Sequence, residues 1–192
     1  MSVKKSDKYD LLLNSGLELF AKKGYHQTKI KDITDHACLA AGTFYLYFKN
    51  KEELIEELFK RYLKQLLDIS EKIHDSNTDA YSKLEEYIRV HIQFFYENKI
   101  FFQFYLEHIP NPVKNFKKCR ERFMELTKNI IQQGQIENVF TEKISIGVAS
   151  NCLRGMITTT ATNAFLIDPI DITPQELSDN IFQLFINGIK KC

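Results

Sequence analysis

Apolar residues recur along this chain at intervals of three and four, the spacing that lines one face of an α-helix. In residues 7–23, Leu13, Leu17 and Phe20 follow this rhythm. Gly24 comes directly after Lys22 and Lys23 and predicts the helix end, where glycine relieves the backbone and cations meet the negative dipole. Thr28 is expected to cap a short second helix carrying Ile30 and Ile33. A break at 38–40 leads into a third short helix through Tyr45. Asn50 then predicts the cap of a long fourth helix, with Glu52 and Glu53 in its first turn. Its apolar stripe runs Ile55, Phe59, Tyr62, Leu66, Ile69, Ile73.

The polar run 75–79 reads as a loop. A fifth helix places Leu84, Ile88, His91 and Phe95 on one face, and a short aromatic sixth, residues 99–109, stops at Pro110 and Pro112. A seventh carries Phe116, Cys119, Phe123, Leu126 and Ile130 and ends near Gly134, and an eighth covers 141–166. Thr173, Pro174 and Glu176 supply a cap, a first-position proline and a capping-box acid, so a ninth helix starts there and ends near Gly188. No alternating, strand-like segment competes. The expectation is an all-α fold of about nine helices, with an N-terminal helix-turn-helix domain at 1–50 and an effector-binding and dimerisation domain at 51–192.

Composition sharpens this. Only 7 Gly and 4 Pro in 192 residues favour long helices, and 44% hydrophobic with 27% charged residues excludes a disordered chain. The net charge is only +1, yet residues 1–51 hold nine lysines against five acids while residues 52–192 hold 17 basic and 20 acidic side chains. One basic end on a near-neutral chain suggests a polyanionic partner at that end, the alternative being an ordinary solvated face. The first residues form no apolar leader, and the largely uncharged stretch from Ser145 onward is interrupted by Arg154 and is rich in Ser, Thr and Asn. No membrane is therefore expected as a partner, and a cytoplasmic location is. Cys38, Cys119, Cys152 and Cys192 are scattered, without metal-ligand spacing. No nucleophile elbow, phosphate loop or dinucleotide loop is present, and Glu107-His108 stands alone, so neither enzyme activity, catalytic residue, metal nor cofactor is expected.

The informative stretch runs from Gly24 to Leu54. Two short helices joined by a tight turn make a helix-turn-helix, and Ala40, Ala41 and Gly42 would let the third helix approach a groove. The residues Leu19-Phe20-Ala21-Lys22-Lys23-Gly24-Tyr25, then Thr28 and Ile33, then Gly42-Thr43, Tyr45, Tyr47-Phe48, Lys51-Glu52 and Leu54 closely resemble the TetR/AcrR family of bacterial regulators. The likeness covers residues 7–55, and beyond them only the helical layout supports it.

The resemblance implies a ligand-responsive regulator, a repressor that an effector releases from a palindromic double-stranded DNA operator. It also implies phosphate contacts from Thr28, Lys29 and Lys51. Ala41, Gly42, Thr43 and Leu46 would face the major groove, Tyr45 and Tyr47 would touch backbone or a thymine methyl, and Phe48 would be core. For each tyrosine the alternative is packing among helices one, three and four. Two positions depart from the family pattern. Cys38 replaces a glycine, and holding a non-glycine residue at positive φ costs about 1–2 kcal/mol. Ala40 replaces a capping serine, at about 1 kcal/mol. Cys38 is expected to be a small buried filler, with a redox switch as the alternative.

Residues 94–105 hold seven aromatics, more than one inward stripe can use. The surplus would line an apolar effector cavity, with His91, Phe95, Phe102, Tyr105, Phe123 and Asn163 as candidate contacts and Arg120 as another polar anchor. The alternatives are ordinary core aromatics and a satisfied core histidine. The wording of the reading half is similar to members that respond to fatty acyl chains, so the expected effector is hydrophobic, acyl-type or drug-like. Small residues of helix eight with Leu177, Ile181, Leu184, Phe185 and Ile189 of helix nine suggest a homodimer interface, the alternative being packing within one chain alone. The rival reading is a helical ligand-binding or adaptor protein without DNA binding, which the departures at Cys38 and Ala40 would favour.

Overall fold

The computed structural model describes residues 5–99, 102 and 117–190. The expected sixth helix falls outside the described residues apart from Lys99 and Phe102, and so does Tyr105. The fold is all-α, and among the described residues the only β feature is an isolated bridge between Phe140 and Lys190. The described chain forms two compact units, one of residues 5–63 with Phe102, the other of 64–99 and 117–190.

In the first unit, helix α1 spans Lys5–Lys23, α2 spans Ile30–His36, a 3-10 helix covers Ala41–Leu46, and helix α3, Lys51–Asp75, begins. Leu12, Leu13, Ile33, Phe44, Phe48, Leu54, Ile55 and Leu58 are buried and form this unit's core. Helix α1 ends at Gly24, whose φ of +81° is free of strain only for glycine. The Asn50 side chain caps α3 as expected, accepting from the Glu53 N–H at 2.9 Å. The cap expected of Thr28 is a correction. The Asp32 carboxylate satisfies the Lys29 N–H at 3.0 Å, and Thr28 is fully buried with its hydroxyl donating backwards, to the Gly24 carbonyl at 2.8 Å and the Leu19 carbonyl at 3.3 Å.

In the second unit, α4 spans Ala80–Glu97, α5 Lys117–Ile136, α6 Ile146–Thr162 and α7 Pro174–Ile189. Helix α4 touches α5, α6 and α7. The start of α7 matches its sequence signal: the Glu176 N–H donates to Thr173 Oγ1 at 3.2 Å while the Thr173 N–H donates to the Glu176 carboxylate at 2.9 Å. One expected boundary moves. Helix α6 starts at Ile146, capped by Ser145, whose hydroxyl accepts from the Val148 N–H, and it is followed by a π-helical turn over Asn163–Ile167. Helix α5 ends at Ile136, near Gly134 as expected. A Cβ on Gly134 would lie 2.0 Å from the buried Phe140 ring, so this glycine serves close packing rather than termination. No described helix is long and apolar enough to cross a membrane.

Candidate functional site

The turn between α2 and the 3-10 helix is set by backbone hydrogen bonds. The Leu39 N–H donates to the Thr34 carbonyl at 2.8 Å and the Cys38 N–H to the Asp35 carbonyl at 3.0 Å, the paired bonds of a Schellman ending. That ending requires a left-handed residue, and Cys38 takes it, at φ 54°. Its thiol is exposed, so the buried filler expected at this position is not what the structure shows. Ala40 offers no side-chain cap, and the next turn opens with the Thr43 N–H donating to the Ala40 carbonyl at 2.8 Å.

The element expected as a third α-helix is a six-residue 3-10 helix. Its tighter winding suits a short segment anchored by one large side chain. That anchor is Phe44, fully buried and 5.4 Å from the buried Phe48 ring. With Phe44 inward, Ala41 and Gly42 lie on the surface, and Tyr45 and Leu46 are 62% and 76% exposed. Thr43 and Tyr47 are half-buried. Tyr47 stands 6.0 Å from the Tyr9 ring, so part of it does packing work. The Tyr45 ring stands edge-on to Phe44 at 5.6 Å with most of its surface open, and Leu46 beside it is open as well.

Behind this surface lies a clamp between residues 25–28 and the first turn of α3. The Lys51 ammonium donates to the Tyr25 carbonyl at 2.7 Å and to the Thr28 carbonyl at 2.8 Å, and it sits 4.0 Å over the Tyr25 ring. The Tyr25 hydroxyl donates to the Glu52 carboxylate. Burial, then this bond, pushes the Tyr25 phenol up, and the same bond holds the Glu52 carboxyl down. Desolvation lowers the Lys51 ammonium. Lys51, expected at a phosphate, is thus turned inward, and the Thr28 hydroxyl is likewise spent on carbonyls. Lys29 remains exposed at the start of α2, with Lys49 and His26 also on the surface. Sequence reasoning missed the Tyr25–Glu52 bond, whose partners are distant in the chain.

Of the residues expected at the effector site, the second unit brings His91 and Phe123 together, ring centroids 5.6 Å apart and edge-on. Phe95 is buried and meets Phe165 at 6.5 Å. Asn163 and Arg120 are exposed, Asn163 at the α6 C-cap. Phe102 stands in the first unit beside Phe59, at 6.2 Å. A separate cavity of about 630 Å³ opens in the second unit against Ile69, Lys72, Lys83, Arg89, Asp179 and Phe182. Its mixed-charge lining is not the apolar wall expected for a hydrophobic ligand, and none of the expected contacts lines it.

The expected dimer face also divides. Leu177, Ile181, Phe185 and Ile189 are buried within the protomer, whereas Leu184 on α7 is 70% exposed and Val148 on α6 is exposed as well. The assignment of Phe185 to an intersubunit face is therefore corrected: its side of α7 forms the protomer's own core.

Comparison with known proteins gives these dimensions a context. Residues 12–58 match the family model described as bacterial regulatory proteins, tetR family. The chain is 27% identical over 190 residues to the fatty acid metabolism regulator protein of Bacillus subtilis strain 168, covering 96% of this chain and 97% of that one. It is 24% identical over 155 residues to the HTH-type transcriptional repressor KstR2 of Rhodococcus jostii RHA1, covering 78% and 76%. The crystal structure of Bacillus subtilis FadR in complex with stearoyl-CoA superposes with a TM-score of 0.77 at 24% identity, over 94% of this chain and 99% of that one, a likeness of fold.

Proposed function

We propose a specific role for this chain, which belongs to the tetR family of bacterial regulatory proteins and is a ligand-responsive, DNA-binding transcriptional regulator: a cytoplasmic homodimeric repressor that leaves its operator when a long-chain acyl ligand binds the second unit. The observation that carries the DNA half is the 3-10 helix with Tyr45 and Leu46 held outward by Phe44. Ala41, Gly42, Thr43, Tyr45 and Leu46 face the major groove, where small residues permit close approach and Leu46 can meet a thymine methyl. Tyr47 and the exposed Lys29 meet the backbone, and Lys29 contributes counterion release. Thr28 and Lys51 act one step behind, fixing residues 25–28 against α3.

Two copies related by a two-fold axis would read half-sites about one helical turn apart, or a multiple of it. The exposed Val148 and Leu184 are the apolar side chains available for that pairing. The acyl class rests on the aromatic wall around His91 and Phe123 and on the full-length likeness to a fatty acid metabolism regulator. Helix α3 is unbroken from residue 51 in one unit to residue 75 in the other, and supplies a continuous element that both sites can bias.

The test is fluorescence anisotropy of labelled DNA from upstream of the protein's own gene, with and without palmitoyl-CoA. The expected result is specific binding that palmitoyl-CoA weakens and that Tyr45→Ala with Leu46→Ala abolishes. Binding indifferent to both substitutions would remove the 3-10 helix from the interface, and binding indifferent to palmitoyl-CoA would remove the acyl assignment.

A further inference from the structure

His91 lies on α4 with its ring 3.9 Å from that of Tyr87 and edge-on to Phe123. Its Nδ1 is 2.7 Å from the Tyr87 carbonyl oxygen. A carbonyl only accepts, so Nδ1 carries the proton and the lone pair of the neutral ring belongs to Nε2. Nε2 is buried and meets no hydrogen-bond partner among the described residues. Desolvation pulls the ring down to about pKa 4 against a smaller raising effect of the Tyr87 carbonyl, so the acceptor persists at neutral pH. Buried acceptors are nearly always satisfied, and one left unpaired is a cost that a bound group can recover.

We infer that His91 is the polar anchor of the effector site, and that the effector presents a neutral N–H or O–H donor to its Nε2. This rests on the reading of the second unit as an acyl-ligand site, and it narrows that ligand. A bare hydrocarbon chain leaves Nε2 unpaired, and a carboxylate offers it a second lone pair. Two parts of an acyl ligand supply the required donor: an amide N–H or hydroxyl of the arm of a coenzyme A thioester, or a hydroxyl on the chain itself. The wall is otherwise aromatic, Tyr87 on one side and Phe123 on the other, so the same position grips methylenes around that single polar contact.

The test uses the full-length protein and His91→Phe, which keeps a ring and removes the acceptor. Palmitic acid, palmitoyl-CoA and positional hydroxypalmitic acids are titrated calorimetrically. Nitrogen NMR of the His91 ring follows Nε2 in the wild type. A donor-bearing probe is expected to bind wild type about tenfold more tightly than His91→Phe, the worth of one buried hydrogen bond. Palmitic acid should bind both alike, and the Nε2 resonance should move only with the donor-bearing probe. Loss confined to palmitoyl-CoA assigns the donor to the coenzyme A arm, and loss confined to a hydroxy acid assigns it to the chain. Equal binding of every probe by both proteins, with Nε2 unmoved, overturns the anchor while leaving the acyl reading intact. No binding of any probe by wild type overturns both. If His91→Phe does not fold, the Nε2 response in wild type decides alone.

Discussion

Replacing Lys51 with methionine separates two roles that a lysine at the edge of a DNA interface can play. The methionine keeps most of the apolar stem and removes the ammonium with its bonds to the Tyr25 and Thr28 carbonyls, at 2.7 and 2.8 Å. Charge-assisted bonds are worth roughly 1.5–3 kcal/mol each when buried. Lys51 is half-buried, and screening brings the pair down to about 2 kcal/mol in all. For a chain of this size that lowers Tm by about 4–8 °C. Residues 25–28 lose their clamp, so DNA affinity falls uniformly across sequences. The salt dependence is the discriminating quantity. Removing one phosphate-neutralising lysine from each of two protomers would flatten the slope of log K against log salt by about 1.8. Lys51→Met is expected to leave that slope unchanged, whereas Lys29→Met should flatten it and leave Tm alone. Thermal unfolding and anisotropy over a salt series measure both. A flattened slope with unchanged Tm in Lys51→Met would refute the clamp and return Lys51 to the phosphate.

Three further outcomes follow from particular residues. Cys38→Gly removes a left-handed strain of about 1–2 kcal/mol and adds about 0.4–1 kcal/mol of unfolded-chain entropy, so Tm should rise by about 1–4 °C, while Cys38→Ala, which keeps the strain, should not raise it. His91 has a folded pKa of about 4 against an ordinary 6.5, so the unfolded chain binds the proton first as pH falls. Its contribution is therefore fully present above pH about 6.5 and about 2 kcal/mol smaller at pH 5, and pH-dependent unfolding should lose that component in His91→Phe. Leu184→Glu should give a folded monomer in sedimentation, because Leu184 is exposed on the protomer, whereas Phe185→Glu should destabilise the protomer itself.

Features legible in the sequence were those whose cause is local. The capping box at Thr173 and Glu176, the Asn50 cap and the glycine ending at Gly24 each lie within four residues of what they control, and all three appear in the structure. Even the positive φ at Cys38 followed from the turn it had to complete. Misreadings arose where the cause is tertiary. Thr28 looks like a cap until the Leu19 and Gly24 carbonyls are seen to take its hydroxyl, and the close packing of Gly134 against the Phe140 ring has no local signal at all. Periodicity marked one apolar face of α7 but could not say that Phe185 turns inward while Leu184 turns out. The signature around residues 42–54 carried the family resemblance, but only the geometry showed that Lys51 faces the protein's own carbonyls.

Reciprocal coupling tests the regulatory mechanism most directly. A ligand that drives the protein off DNA must bind free protein more tightly than DNA-bound protein, by the same factor by which it weakens DNA binding. Palmitoyl-CoA should be titrated calorimetrically against the protein alone and against the protein saturated with its upstream DNA, beside anisotropy measurements of DNA affinity with and without palmitoyl-CoA. Ligand-released repression predicts two equal ratios of about 5–150-fold, the range of typical coupling energies. Identical palmitoyl-CoA affinities for free and DNA-bound protein would contradict it, because a ligand that binds both states equally shifts neither.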